Sequence, residues 1–129
     1  MEKFELKESA TTPRILINFK KGKIKLIGTS TLHNPEEFYP KVLNIAQKYF
    51  DKPLEETKVT IDLDYYHQNS FNYIFQFIEL IVGLEKFKRT KLKMMWHHHP
   101  LDQGIAEDIA LISKTLDYQI PTMSYELVS

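Results

Sequence analysis

The chain has 129 residues, 17 of them basic and 17 acidic, with 43% of positions hydrophobic and no cysteine. A chain of that length suits one domain, spanning 1–129, that buries roughly two thirds of its unfolded surface, so its core needs neither metal nor disulfide. The cancelling charges give no global field to attract a nucleic-acid backbone or an anionic membrane, and the absence of cysteine excludes a disulfide framework, a thiolate metal site and a cysteine nucleophile.

The opening segment, MEKFELKESATTPR, carries charges where a signal peptide needs an apolar core. No stretch reaches the ~20 apolar residues of a membrane span, and a cytoplasmic protein is expected. Within that segment Lys3 to Leu6 can add an edge strand. Arg14 to Phe19 and Lys23 to Thr29 read as strands joined around Lys21-Gly22, a hairpin signal. Asn34 or Thr31 can open a helix through Pro35 to Phe50, with Phe38, Val42, Ile45 and Tyr49 on one side. Pro53 ends that segment.

The next stretch, IDLDYYHQNSFNYIFQFIELIVGL, changes period in the middle. Val59, Ile61, Leu63 and Tyr65 alternate with Thr60, Asp62 and Asp64, which predicts a half-buried strand. From Phe71 the apolar residues Ile74, Phe75, Ile78, Ile81 and Val82 recur every three or four positions, which predicts a helix. Between the two lie His67, Gln68, Asn69 and Ser70. Asn69 or Ser70 can cap the helix, and the turn is expected at the exposed carboxyl edge of a parallel strand. The helix also carries a second stripe, Tyr73, Phe77, Leu80 and Leu84. Either that stripe packs on a neighbouring helix, or it forms an exposed patch in which Tyr73 and Phe77 anchor a partner or a homodimer.

Lys91 to His97 reads as a further strand, Asp102 to Leu116 as a helix with Ile105, Ile109, Ile112 and Leu116 in a stripe, and Tyr118 to Leu127 as a last strand interrupted at Pro121. Strands separated by single helices imply right-handed crossovers and a largely parallel sheet. The expected fold is therefore a small α/β domain, an N-terminal hairpin followed by β-α-β-α-β-α-β in a mixed sheet.

Catalytic patterns are scarce. The run Trp96-His97-His98-His99 invites a metal reading, since histidine is the commonest transition-metal ligand. Along a strand, however, His97 and His99 share one face and His98 takes the other, and no HExxH spacing supplies a helical pair. A metal-dependent hydrolase or metal-binding protein using His97 and His99 is the enzyme alternative to a binding module. Glycine-rich phosphate loops are absent, and Asp62 with Asp64 forms no acid–base pair without a cleft. No cofactor is required.

Four segments together resemble the SiaC-type bacterial regulatory phosphoproteins, relatives of the STAS domains of anti-sigma-factor antagonists. They are TPRILINFKKGKIKLIGTS, EEFYPKVLNIAQKYF, IDLDYYHQNSFNYIFQFIELI and LKMMWHHHPLDQGIAEDI, in that order, from about Thr11 to Tyr125. The family pattern has a strand ending in an aromatic, Asn-Thr-Ser-Ser leading into a helix, and later a strand ending in Trp before an acidic helix start; Tyr65, Ser70, Trp96 and Asp102 sit at or near those places. The resemblance implies a STAS-like, non-enzymatic module that binds proteins in a partner-switching system: a kinase, a phosphatase and an effector of the diguanylate-cyclase type. It also implies a phosphorylated threonine in the turn. Here Gln68 stands at that acceptor position, with His67 on the asparagine and Asn69 on the first serine. Glutamine cannot be phosphorylated, so either another hydroxyl, of which Ser70 is the nearest, has taken over, or the chain binds its partner constitutively. His67, Gln68, Asn69, Ser70, Tyr73 and Phe77 are the expected partner-binding residues.

Overall fold

The computed structural model describes residues 2–125. In chain order the elements are β1 (Lys3–Leu6), β2 (Arg14–Asn18), β3 (Lys23–Ser30), α1 (Pro35–Asp51), β4 (Glu56–Tyr66), α2 (Gln68–Lys86), β5 (Lys91–His98), α3 (Gln103–Leu116) and β6 (Thr122–Ser124). The strands form one sheet in the order β1-β2-β3-β4-β5-β6. β1, β2 and β3 pair antiparallel, and β3 to β6 pair parallel. This is the mixed α/β sheet behind an N-terminal hairpin that the alternation of periods implies.

Each parallel strand is added on the same side of its predecessor, so right-handed crossovers put α1, α2 and α3 on one face of the sheet. The alternation along each strand follows. Ile15, Ile17, Ile24, Leu26, Val59, Ile61, Leu63, Met94 and Trp96 point into the helical layer and are buried. The other face carries Lys23, Lys25, Lys58, Thr60, Asp62, Lys93 and Met95, all exposed or half-exposed. α2 is the central helix and lies between α1 and α3. Trp96 is fully buried, and its indole Nε1 finds no partner among the described residues.

Two hydroxyl networks close the helix-facing layer at opposite ends. At the start of β4, Thr57 bonds Tyr49 at 2.7 Å and Thr90 at 2.8 Å, and Thr90 donates to the Leu54 carbonyl. At the end of β3, Ser30 bonds Tyr39 at 2.6 Å and Ser70 at 2.9 Å.

Two expectations are corrected. The inward alternation of β4 does not reach Tyr65, because the pairing of β3 with β4 slips at Gly28/Thr29 and inserts one extra β4 residue. That bulge turns Tyr65 outward, to 57% exposure, and sends Tyr66 toward the helices. The last strand is only Thr122–Ser124, since Pro121 lacks the amide a ladder needs; the expected end at Leu127 lies outside the described residues. Of the two openings read for α1, Asn34 is the N-cap ahead of Pro35, although its side chain makes no capping hydrogen bond.

The β2–β3 hairpin depends on Gly22, which has φ +65° and at which an added Cβ would lie 2.6 Å from the Glu56 carbonyl oxygen. Gly22→Ala should therefore lower stability by about 1–3 kcal/mol, combining left-handed strain with a backbone clash. Urea unfolding, reading the midpoint at constant m, checks this.

Candidate functional site

The carboxyl edge of the parallel strands gathers the residues singled out from the sequence. β4 ends at Tyr66, His67 is the only residue before α2, and its backbone is extended at φ −73° and ψ 155°. Its N–H donates to the Ser30 carbonyl at 2.9 Å, and its own carbonyl accepts from the Ser70 amide at 3.0 Å. His67, not Asn69 or Ser70, is thus the N-cap, and it makes no side-chain cap bond. The expected four-residue turn has contracted to one residue because the extra residue in β4 carries the strand further.

Gln68, Asn69 and Ser70 form the first turn of α2. Gln68 and Asn69 are exposed, whereas Ser70 has no exposed surface. Residues two apart on a helix are about 200° apart around its axis, so a Ser70 facing the sheet turns Gln68 to solvent. The Ser70 hydroxyl accepts from Ser30 Oγ at 2.9 Å and donates to the Ser30 carbonyl at 3.4 Å. No acidic residue occupies the first turn of α2. The positive end of the helix dipole and the first-turn amides therefore meet solvent at Gln68 and Asn69, a setting that favours a negatively charged group.

Beside this turn is a cavity of about 160 Å³ lined by Tyr65, Tyr66, Asp102, Gly104, Ile105 and Asp108. Asp102 caps α3 by accepting from the Ile105 amide at 3.0 Å. Tyr66 donates to Asp108 Oδ2 at 2.5 Å and stacks on Phe71, so burial, then this carboxylate, holds its phenol well above the ordinary tyrosine range. Tyr65 stands edge-on to His67 with ring centroids 5.7 Å apart. Tyr65, expected on the inward face of β4, turns outward and Tyr66 turns inward in its place; Gly28, with a φ of +120° on the neighbouring strand, marks the bulge.

The aromatic pair on α2 is not an exposed anchor. Phe77 is 2% exposed and part of the core. Tyr73 is half-buried and stacks on Tyr39 of α1, centroids 5.4 Å apart and rings 9° from parallel. The second apolar stripe exists because α2 has a helix on either side. Phe77→Ala should accordingly cost about 3–5 kcal/mol in denaturant stability, as a core cavity does, whatever it does to binding.

The histidines do not converge. His97 is on the open sheet face and stacks with Tyr125, centroids 6.3 Å apart. β5 ends at His98, so His99 lies in the following turn, where its Nδ1 accepts from the Leu101 amide at 3.1 Å. The strand that would put His97 and His99 on one face stops short of His99. Among the described residues no three His, Asp or Glu side chains form a group able to hold a metal ion.

Buried phenols make stability sensitive to alkali. Burial pushes Tyr39 up to about 12, opposed weakly by its hydrogen bond with Ser30. An unfolded tyrosine ionises near 10, so the contribution of Tyr39 is complete below pH 10 and is lost as pH rises toward 12. Tyr39→Phe should lose ~1 kcal/mol at neutral pH. It should then show a shallower fall of Tm than the parent between pH 10 and 12, because Tyr66, Tyr118 and Tyr125 keep the same sign in both proteins. Differential scanning calorimetry across that range measures it.

A six-stranded mixed sheet covered by three helices, with the exposed start of α2 at the carboxyl edge of the parallel strands, defines a small α/β domain. The profile of the SiaC family regulatory phosphoproteins matches residues 6–125, and the chain belongs to that family. No curated protein matches the chain. Among solved structures, SiaC of Pseudomonas aeruginosa superposes with a TM-score of 0.81 at 16% identity, covering 97% of this chain and 100% of that one. The apo-SiaC crystal structure from the same organism gives 0.76 at 16% identity, over 98% and 100%. A chain in the crystal structure of the diguanylate cyclase SiaD in complex with its activator SiaC, also from Pseudomonas aeruginosa, gives 0.79 at 16% identity, over 94% and 97%. These similarities establish a shared fold. None of the described helices is long and apolar enough to cross a membrane.

Proposed function

We propose that this chain is a non-enzymatic, cytoplasmic, single-domain regulator that binds a protein effector of the diguanylate-cyclase type through the exposed start of α2, without a phosphate switch at that turn. The single observation that carries the reading is the division of labour in the first turn: position 68 is exposed but is glutamine, while Ser70, the only hydroxyl there, is wholly buried and bonded to Ser30. A kinase needs an extended, accessible acceptor, and reaching Ser70 would require unwinding the turn and breaking its buried hydrogen bonds with the Ser30 hydroxyl and carbonyl.

His67, Gln68 and Asn69, with Tyr65 beside them, form the docking edge in this reading. Tyr73 supports it from below through its stack on Tyr39, and Phe77 acts through the core. The solved complex of SiaD with its activator SiaC supports an effector of that chemistry. In relatives with a threonine at position 68, phosphate would add about −1.5 to −2 charges at a helix start, which the dipole favours and an apolar interface does not. With glutamine there, the binding-competent surface is permanent. The hydrolase alternative using His97 and His99 has no observation in its favour, because their side chains do not meet at one point.

The test is phosphorylation in vitro by a SiaC-family kinase, read by intact mass and peptide mapping, beside capture of a cyclase effector. The parent and Ser70→Ala should both stay unlabelled, Gln68→Thr should gain one phosphate at residue 68, and only phosphorylated Gln68→Thr should release the effector. Phosphate mapped to Ser70 of the parent would restore the switch and defeat the proposal.

A further inference from the structure

The face of the sheet opposite the helices has an unusual charge pattern. Lys23 pairs in register with Lys58, and Lys58 with Lys93, so three lysines stand side by side on adjacent strands. Alternation sends all three to the open face, where each is exposed, and Lys25 joins them two residues along β3. Neighbouring strands lie about 4.8 Å apart, and like charges directly opposite on a sheet destabilise it. Lys93 is relieved by Glu56 at 3.5 Å. Among the described residues, Lys23, Lys25 and Lys58 have no carboxylate within 4.0 Å. With the Thr60 hydroxyl they line a shallow depression of about 120 Å³ whose side-chain nitrogens are all donors.

We propose that this lysine row is a second docking site, which takes the carboxylates of an acidic protein segment. Charge complementarity selects the partner, and two features exclude a nucleic acid. The open face turns acidic further along β4, with Asp62 about 13 Å from Lys58 and Asp64 beyond it, so a long polyanion lying on the row would meet repulsion. The residues lining the depression include no aromatic ring, whereas single-stranded nucleic acid is held by stacking as well as charge. A short acidic segment fits the depression without reaching Asp62. The site lies at the amino ends of the parallel strands, remote from Gln68, and does not rest on the reading of the α2 edge.

The experiment titrates the full chain into a fluorescently labelled octa-glutamate peptide at low salt and reads anisotropy. Saturable binding is expected, weakened about 2–5-fold by Lys58→Gln and again by Lys25→Gln, and lost as salt rises. Lys48→Gln, an equal change of charge on exposed α1, should leave binding unchanged. Removing the central like charge should also raise Tm by about 1–4 °C in Lys58→Gln but not in Lys48→Gln, which separates loss of the site from loss of the fold. Absence of saturable binding, or equal weakening by Lys48→Gln, overturns the proposal. So does tighter binding of a labelled DNA duplex that Lys58→Gln abolishes, or displacement of the peptide by tripolyphosphate at concentrations below those of unlabelled peptide, since either assigns the row to phosphate.

Discussion

The structure depends on one constraint: every new parallel strand is added in the same direction, and because parallel crossovers follow the right-handed rule, all three helices bury themselves on one side of the sheet. A doubly covered sheet would need strands that are apolar on both faces. These strands alternate, and their polar residues go to the side left open. The same constraint makes α2 the middle of three helices. A middle helix has a sheet beneath it and a helix on each flank, which leaves one narrow strip for solvent, and Asn72, Gln76 and Glu79 occupy it. The two apolar stripes of α2 are therefore a consequence of topology and not a sign of a missing partner.

The carboxyl edge inherits its arrangement from the same layer. Ser30 closes the inward face of β3, Ser70 meets it from α2, and Tyr39 meets it from α1, so one buried hydroxyl cluster joins a strand to two helices. Such a cluster is stable only when each member is satisfied, since an unpaired buried hydroxyl costs about 1–3 kcal/mol. That requirement fixes the rotation of α2 about its axis, and with it which residue of the first turn reaches solvent. In the proposed reading, position 68 is the regulatory position for the same reason that position 70 is not: the helical period sends one outward when the other is held inward. Glutamine there keeps the polarity and the exposure while removing the hydroxyl.

Much of this was legible in the residues. The change from a period of two to a period near 3.6 located β4 and α2, Lys21-Gly22 located the hairpin, and four short segments in order carried the family resemblance over most of the chain. What could not be read was anything that depends on how two strands align. The bulge at Gly28/Thr29 belongs to the pair β3–β4, and it alone moves Tyr65 out and Tyr66 in. The cap of α2 followed from it, since a strand extended by one residue leaves only His67 for the turn. The burial of Phe77 was ambiguous for a related reason: a helical wheel shows that two stripes exist but not that a second helix covers one of them.

Net charge was the least informative number of all. Equal counts of acidic and basic residues suggested a featureless field, yet the fold sorts them, with Lys23, Lys58 and Lys93 abreast at the amino ends of the parallel strands and Asp62 and Asp64 toward the carboxyl ends. Each lysine alone is an ordinary outward residue of an alternating strand. Only parallel pairing in this register stacks them, because a slip of two residues would set Lys23 opposite Thr60 or Glu56 instead of Lys58. Exposure to water makes the row tolerable, since screening by salt and solvent holds the repulsion to a fraction of a kcal/mol per pair. A cost of that size is too small to disturb the fold and large enough to be relieved by any acidic group that settles on the row, so the uncovered face of a one-sided sheet can hold a binding surface without weakening the core beneath it.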